Sequence, residues 1–156
     1  MPSPQNKLFQ QWLAPEFKAA GFTKTGATWH RVKPPFIHVF NIQGSQWGLR
    51  FYLNLGLYIS DLGALSRPKE YDCQLRKRLD DLVPDPERLT RLCDFEFPLA
   101  EEERRGQIQA LVAAYALPWL DGLSSQEQLR VYILQQREQG NAVRKGVLEY
   151  LDIKEQ

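Results

Sequence analysis

From Ser45 to Ile59 the chain reads Ser-Gln-Trp-Gly-Leu-Arg-Phe-Tyr-Leu-Asn-Leu-Gly-Leu-Tyr-Ile, with an apolar residue at every odd position from Leu49 onward. A repeat of two is the signature of a strand, because successive side chains leave opposite faces. Leu49, Phe51, Leu53, Leu55, Leu57 and Ile59 therefore share one face, and Arg50, Tyr52, Asn54, Gly56 and Tyr58 share the other. The leucine row needs an apolar cover, which demands a sheet packed against other elements. The opposite row is chemically mixed and is the first place to look for a site.

The flanking sequence supplies the rest of such a fold. Ser3-Pro4 suits a helix start, a capping hydroxyl followed by proline at the first helical position. Leu8, Phe9, Trp12, Leu13 and Phe17 then recur at helical spacing. Pro15 predicts a kink, or a second short helix over residues 15–20, and Gly21 a stop. Thr28–Lys33 and Phe36–Gln43 read as strands separated by Pro34-Pro35, and Gly44-Ser45 as the turn into the long strand. Short connections of this kind favour antiparallel pairing. Residues 61–70 read as a loop. Residues 72–82 fit a strand, with Cys73, Leu75, Lys77 and Leu79 on one face, or a helix aligning Leu75, Leu79 and Leu82. The strand is carried forward, with Arg91–Phe97 as a further short one. After Pro98 the pattern turns helical. Glu101–Glu103 suit a first turn, Ile108, Leu111, Val112 and Tyr115 form a stripe, and Pro118 stops it. Ser124-x-x-Glu127 matches a capping box ahead of Leu129, Tyr132 and Ile133. Gly140 ends that helix, and Asn141 caps a last one carrying Val143, Val147 and Leu151. The expectation is one α+β domain over residues 1–156. It has an antiparallel sheet of four to six strands, packed by an N-terminal helix and a C-terminal helical group.

At 156 residues the chain is long enough for a proper core, and its net charge of +1 gives no overall pull toward nucleic acid or an anionic membrane. The charge is uneven, +5 over residues 1–70 and −4 over the remainder. That split either orients a charged partner or is solvated surface. The polar start lacks an apolar leader, so the mature chain is expected to begin near residue one. The greasiest run, Leu111–Leu120, is too short to span a bilayer. Cys73 and Cys93 show no framework spacing, so two buried thiols in a reducing cytoplasm are expected.

Several short motifs together resemble a bacterial family described only as a domain of unknown function, number 4304. They are Gly21-Phe22, Thr28-Trp29, Asn41-x-Gln43-x-Ser45 before Trp47-Gly48, Phe51-x-x-Asn54-Leu55-Gly56, and Asp72-Cys73-x-x-Arg76-x-Arg78-Leu79. The resemblance covers roughly residues 8–80 and implies the fold without implying an activity. A usual variant of this pattern has histidine near the position of Gln74, so any role for that ring is missing here. Some small domains of this kind resemble immunity proteins, which bind and block a toxin.

The motifs that name a reaction are missing. The sequence has no Gly-x-Gly-x-x-Gly, no phosphate-binding loop, no nucleophile elbow and no His-Glu-x-x-His. His30 and His38 are the only histidines, so zinc-ligand spacing is missing too. No metal and no cofactor is expected. His38 lies in an apolar-facing row and reads as a structural histidine, and His30 as a solvated strand residue. Trp12 reads as core, Trp119 as a plug at a helix end, and Trp29, among polar neighbours, as exposed. A DNA reader over Asn141–Tyr150 with Arg144 and Lys145 on phosphates has poor electrostatics in an acidic half-chain.

The candidate binding residues are Trp47, Arg50, Tyr52, Asn54, Asp72, Arg76 and Arg78. Guanidinium forks bind carboxylates or phosphates at two points, and aromatic rings beside them clasp a partner. The plainer alternative is an internal Asp72–arginine ion pair that fixes sheet register. The leading expectation is a non-catalytic cytoplasmic domain that binds another protein, an immunity-type inhibitor of a toxin being its sharpest form. The alternative is a small enzyme or ligand-binding domain for a phosphate- or carboxylate-bearing substrate.

Overall fold

The computed structural model describes residues 3–155. Helix α1 (Pro4–Ala19) opens as its sequence dictates: the Ser3 side chain accepts a hydrogen bond from the Asn6 amide at 3.1 Å, with Pro4 at the first helical position. The helix runs through Pro15 without ending, so no second short helix begins there. Leu13 and Phe17 on either side of the proline are both buried in one core, and Gln109 donates to the Trp12 carbonyl at 2.8 Å beside it. Gly21, at φ +92°, turns the chain out of the helix.

Five strands follow: β1 (Thr23–Thr25), β2 (Thr28–Lys33), β3 (Phe36–Gly44), β4 (Phe51–Ile59) and β5 (Leu75–Arg78). They form one antiparallel sheet in chain order, with β1 and β5 at its edges. The long strand begins at Phe51, five residues later than the sequence pattern suggests. Gly48, at φ +154°, breaks the alternation, and Ser45–Arg50 become the connection between β3 and β4, closed by the Ser45 amide donating to the Arg50 carbonyl at 2.8 Å. Residues 72–82 supply only the four-residue β5, bracketed by 3-10 turns at Glu70–Asp72 and Leu79–Asp81. The expected strand over Arg91–Phe97 does not form: Arg91 and Leu92 end helix α2 (Pro86–Leu92), which is capped by Asp85, and the residues after them are mostly turn. Only residues 93–95 lie along the sheet. There the Phe51 amide donates to the Cys93 carbonyl at 3.0 Å and the Phe95 amide to the Leu49 carbonyl at 2.9 Å.

The remaining chain is helical: α3 (Glu101–Leu111), α4 (Leu117–Asp121), α5 (Gln126–Glu138) and α6 (Lys145–Tyr150). Pro118 does not stop the helix before it. A π turn over Val112–Ala116 widens the ladder and lets α3 pass into α4 with the proline, which has no N–H to place, in the first turn of α4. The cap of α5 is Ser125, one residue later than expected, accepting from the Gln128 amide at 3.1 Å. Asn141 does not cap α6, which starts after Arg144; it donates to Gln136 Oε1 at 2.9 Å.

One face of the sheet carries all the helices. Trp29, Phe40, Phe51, Leu53 and Leu55 pack against α1 and α3, and Phe36, Leu57, Ile59 and Leu75 against α5 and α6. The leucine row is interior, as its period requires. Trp29 is buried, contrary to the exposed reading, because it faces Phe17 and Phe40 across the sheet. Trp12 is core, and Trp119 packs half-buried against both clusters.

The other face is divided. At one end the segment over residues 60–73 lies across it: Leu65 donates its amide to the Tyr58 hydroxyl at 3.1 Å, and Cys73 joins Ile37, Val39 and Tyr58 in a small apolar cluster. His30 is buried there, not solvated, and its Nε2 donates to the Pro68 carbonyl at 2.7 Å. Gly56 is required beneath Cys73, since a Cβ at this position would sit 2.6 Å from the thiol sulfur. At the other end lies the polar row of Asn41, Gln43, Tyr52 and Asn54, of which only Asn54 is buried.

Candidate functional site

Alternation along β5 sends Leu75 and Lys77 toward the helices and Arg76 and Arg78 to the opposite face, where their strand partners are Gly56 and Asn54. Asn54 is only 3% exposed, and its side-chain nitrogen is bonded along the row. Its Nδ2 donates to Gln43 Oε1 at 2.9 Å and to Asn41 Oδ1 at 3.4 Å, and Asn41 Nδ2 donates in turn to Thr28 Oγ1 at 3.0 Å. This ladder of amides crosses three strands and ends against β5. Arg78 lies over Tyr52, its guanidinium carbon 4.3 Å from the ring centroid.

The two neighbouring arginine forks differ. Arg76 donates through Nε and Nη2 to both oxygens of Glu70, at 2.8 and 3.1 Å, and that hydrogen bonding raises its pKa further. Arg78 forms no ion pair among the described residues. Asp72 pairs with neither arginine. It accepts from the Lys69 amide at 2.8 Å and so caps the 3-10 turn leading into β5. The internal Asp72–arginine pair considered from the sequence is thus replaced by a Glu70–Arg76 pair. Gln74 accepts from the Ile59 amide at 2.7 Å and ties the start of β5 to the end of β4.

β5 forms the floor of a groove of about 570 Å³. One flank carries Gln43, Asn54, Arg76 and Arg78; the other carries Lys77 and, from the α5–α6 connection, Asn141 and Arg144. Four cationic side chains line it, Arg76, Lys77, Arg78 and Arg144, against the carboxylates Glu70 and Asp81. Of the seven sequence candidates, Tyr52, Asn54, Arg76 and Arg78 therefore come together, and Asp72 stands behind them as a cap. Trp47 and Arg50 do not join them. They sit on the β3–β4 connection, with Trp47 87% exposed and the Arg50 backbone paired with that of Asp94 in an isolated antiparallel bridge.

Sequence reasoning missed Gln43, Lys77, Asn141 and Arg144 as groove residues. Lys77 was within reach once β5 was read as a strand. Arg144 was considered only as a phosphate contact of a DNA reader, because what sets α6 beside β5 is the apolar cluster that holds both Val147 and Leu75. The proposed DNA-reading helix is a six-residue element with Val147 and Leu148 in the core.

Outside the groove both histidines and both cysteines are internal. His38 is buried and accepts from Arg31 at Nδ1, so its proton sits on Nε2 and is donated to the Leu123 carbonyl at 2.8 Å. Burial holds its pKa down at about 4; the Leu123 carbonyl opposes this shift and Arg31 adds to it. Cys73 and Cys93 are buried free thiols, pushed up by burial, Cys73 to about 12. Neither is a nucleophile at neutral pH. Among the described residues no cluster of three or more His, Cys, Asp or Glu is placed to hold a metal ion, and no helix is long and apolar enough to cross a membrane.

The model of a family described as a domain of unknown function, DUF4304, matches residues 13–122. The match takes in the whole sheet and ends before α5, so the Asn141–Arg144 wall of the groove lies outside it. No curated protein and no solved structure matches the chain.

Proposed function

The chain belongs to the DUF4304 family, and from that premise we propose that it is a non-catalytic domain that binds another protein through the groove along β5. The observation that carries this reading is an open strand edge lying in a cationic cleft. Unpaired backbone groups beside arginines are what a polypeptide partner can satisfy and a bulk solvent surface does not use. Arginine and tyrosine are also the residue types that anchor interfaces. The mechanism is occlusion of the partner's surface, with no bond chemistry. An immunity-type inhibitor of a toxin is the specialised form of such a binder, and the two buried free thiols fit a reducing cytoplasm.

The second reading, a site for a small phosphate- or carboxylate-bearing molecule, is favoured by the groove's size, which falls within the roughly 300–1,000 Å³ of small-molecule pockets. It is weakened by the lining, since such pockets are mostly apolar and enclosing.

The test is capture from native lysate with the full chain, its Arg78→Glu/Arg144→Glu variant, and Arg105→Glu on the exposed side of α3 as a control. Retention of one protein at equal stoichiometry, lost only in the double variant, supports the binder. Equal loss in the control contradicts the groove as the surface. No retained protein, with a rise in Tm on adding inorganic phosphate or a dicarboxylate, transfers the assignment to the second reading. Co-expression with a toxin encoded beside the gene tests the inhibitor form: restored growth supports it, and continued arrest removes it.

A further inference from the structure

We infer that the partner contributes an extended acidic segment that adds to the free edge of β5 as a sixth strand. This rests on the reading of the groove as a protein-binding surface and specifies what enters it.

The backbone comes first. β5 pairs only with β4, and every second residue of an antiparallel strand directs its N–H and C=O away from its partner. Two of the four residues Leu75–Arg78 therefore present donors and acceptors to the groove. Among the described residues no other element hydrogen-bonds to them. An extended segment supplies the complementary row, over about 13 Å of strand.

The side chains then select the segment. A strand added here would alternate its side chains between two unlike walls. Toward the helices it meets Tyr132 and Val143, with Lys77, Gln136, Asn141 and Arg144 around them. Toward the opposite face it meets Gln43 and Arg78. Arg76 is already satisfied by Glu70, whereas Arg78 has only the Tyr52 ring beneath it and keeps its donors for a carboxylate. The matching pattern is acidic residues alternating with β-branched or aromatic ones.

A short, charged edge strand is also how proteins prevent sheets from joining edge to edge. The Arg-Lys-Arg run of β5 does repel another copy of itself. The same charges attract a strand that carries carboxylates, so the edge is closed to its own kind and open to one class of partner. The far edge makes the contrast: β1 is three exposed residues, Thr23–Thr25, with no cationic run.

The experiment pans a displayed library of random 12-residue peptides over the full chain, then titrates synthetic versions of the enriched sequences. The expected peptides alternate Asp or Glu with Val, Ile, Thr or aromatic residues. Their Kd weakens at least tenfold for Arg78→Glu and also for Arg144→Glu, with Tm unchanged in both. N-methylation of alternate peptide residues abolishes binding in one parity and spares it in the other. Failure to enrich any peptide, enrichment of basic or helical ones, or indifference to methylation in both parities overturns the inference. If groove-dependent protein capture survives such a failure, strand addition alone is wrong. If capture fails as well, the protein-binding reading falls with it.

Discussion

Arginine does two different jobs in this protein. Arg104 and Arg31 are buried and each is held by several acceptors. Arg104 donates to the carbonyls of Arg91, Leu92, Asp94 and Phe97 and lies over the Phe95 ring. Arg31 joins the Ala20 carbonyl, His38 and Asp121. Along β5, Arg78 has one ring contact and Arg144 no ion pair among the described residues. The contrast separates charge that holds the chain together from charge left for a partner. A buried guanidinium is kept because removing it strands its acceptors, whereas an exposed one contributes little to folding.

The comparison is broken most readily at its buried side. Arg104→Met leaves four carbonyls without their charged donor and should cost about 3–5 kcal/mol in urea denaturation. A loss under 1 kcal/mol would erase the distinction between the two sets. Next comes the Arg31–His38 pair. The folded pKa of His38, about 4, lies below its ordinary value of 6.5. Between those values the unfolded chain binds a proton that the folded chain refuses, so stability falls as pH drops from about 6.5 to 4. The total loss is on the order of 3 kcal/mol. His38→Gln should flatten that slope, and an unchanged slope would assign it to another group. Gly56→Ala, which drives a methyl into Cys73 under β5, should cost about 1–3 kcal/mol, partly recovered in a Cys73→Ala background. Full additivity of the two changes would contradict the contact. Smallest of all, Arg78→Ala should cost no more than about 1 kcal/mol and Trp47→Ala no more than about 0.5 kcal/mol, both read from Tm. A large loss at Arg78 would make it structural after all.

The sheet was legible because its information is local. The period of two in Phe51–Ile59, the Ser3-Pro4 cap and Gly21 each act over a few residues, and all hold in the fold. The start of β4 was misplaced because Trp47-Gly48-Leu49 keeps the alternation while Gly48 adopts a backbone that breaks it. Trp29 and His30 were misread because their covers, Phe17 and Pro68, are remote in sequence. The candidate site was half legible for the same reason. Tyr52, Asn54, Arg76 and Arg78 share a face by strand geometry alone, whereas the second wall depends on α6 docking against Leu75. Asp72 was read as an ion-pair partner because its type and spacing suit one. Its carboxylate instead caps the turn that no pattern in residues 61–72 announces.

Hydrogen–deuterium exchange on the full chain with and without an enriched acidic peptide tests the central claim most directly. The account predicts slowed exchange at two of the four amides of Leu75–Arg78, lesser slowing over Asn141–Arg144, and none over Trp47–Arg50. Protection confined to the Trp47–Arg50 connection, with β5 unchanged, would contradict it.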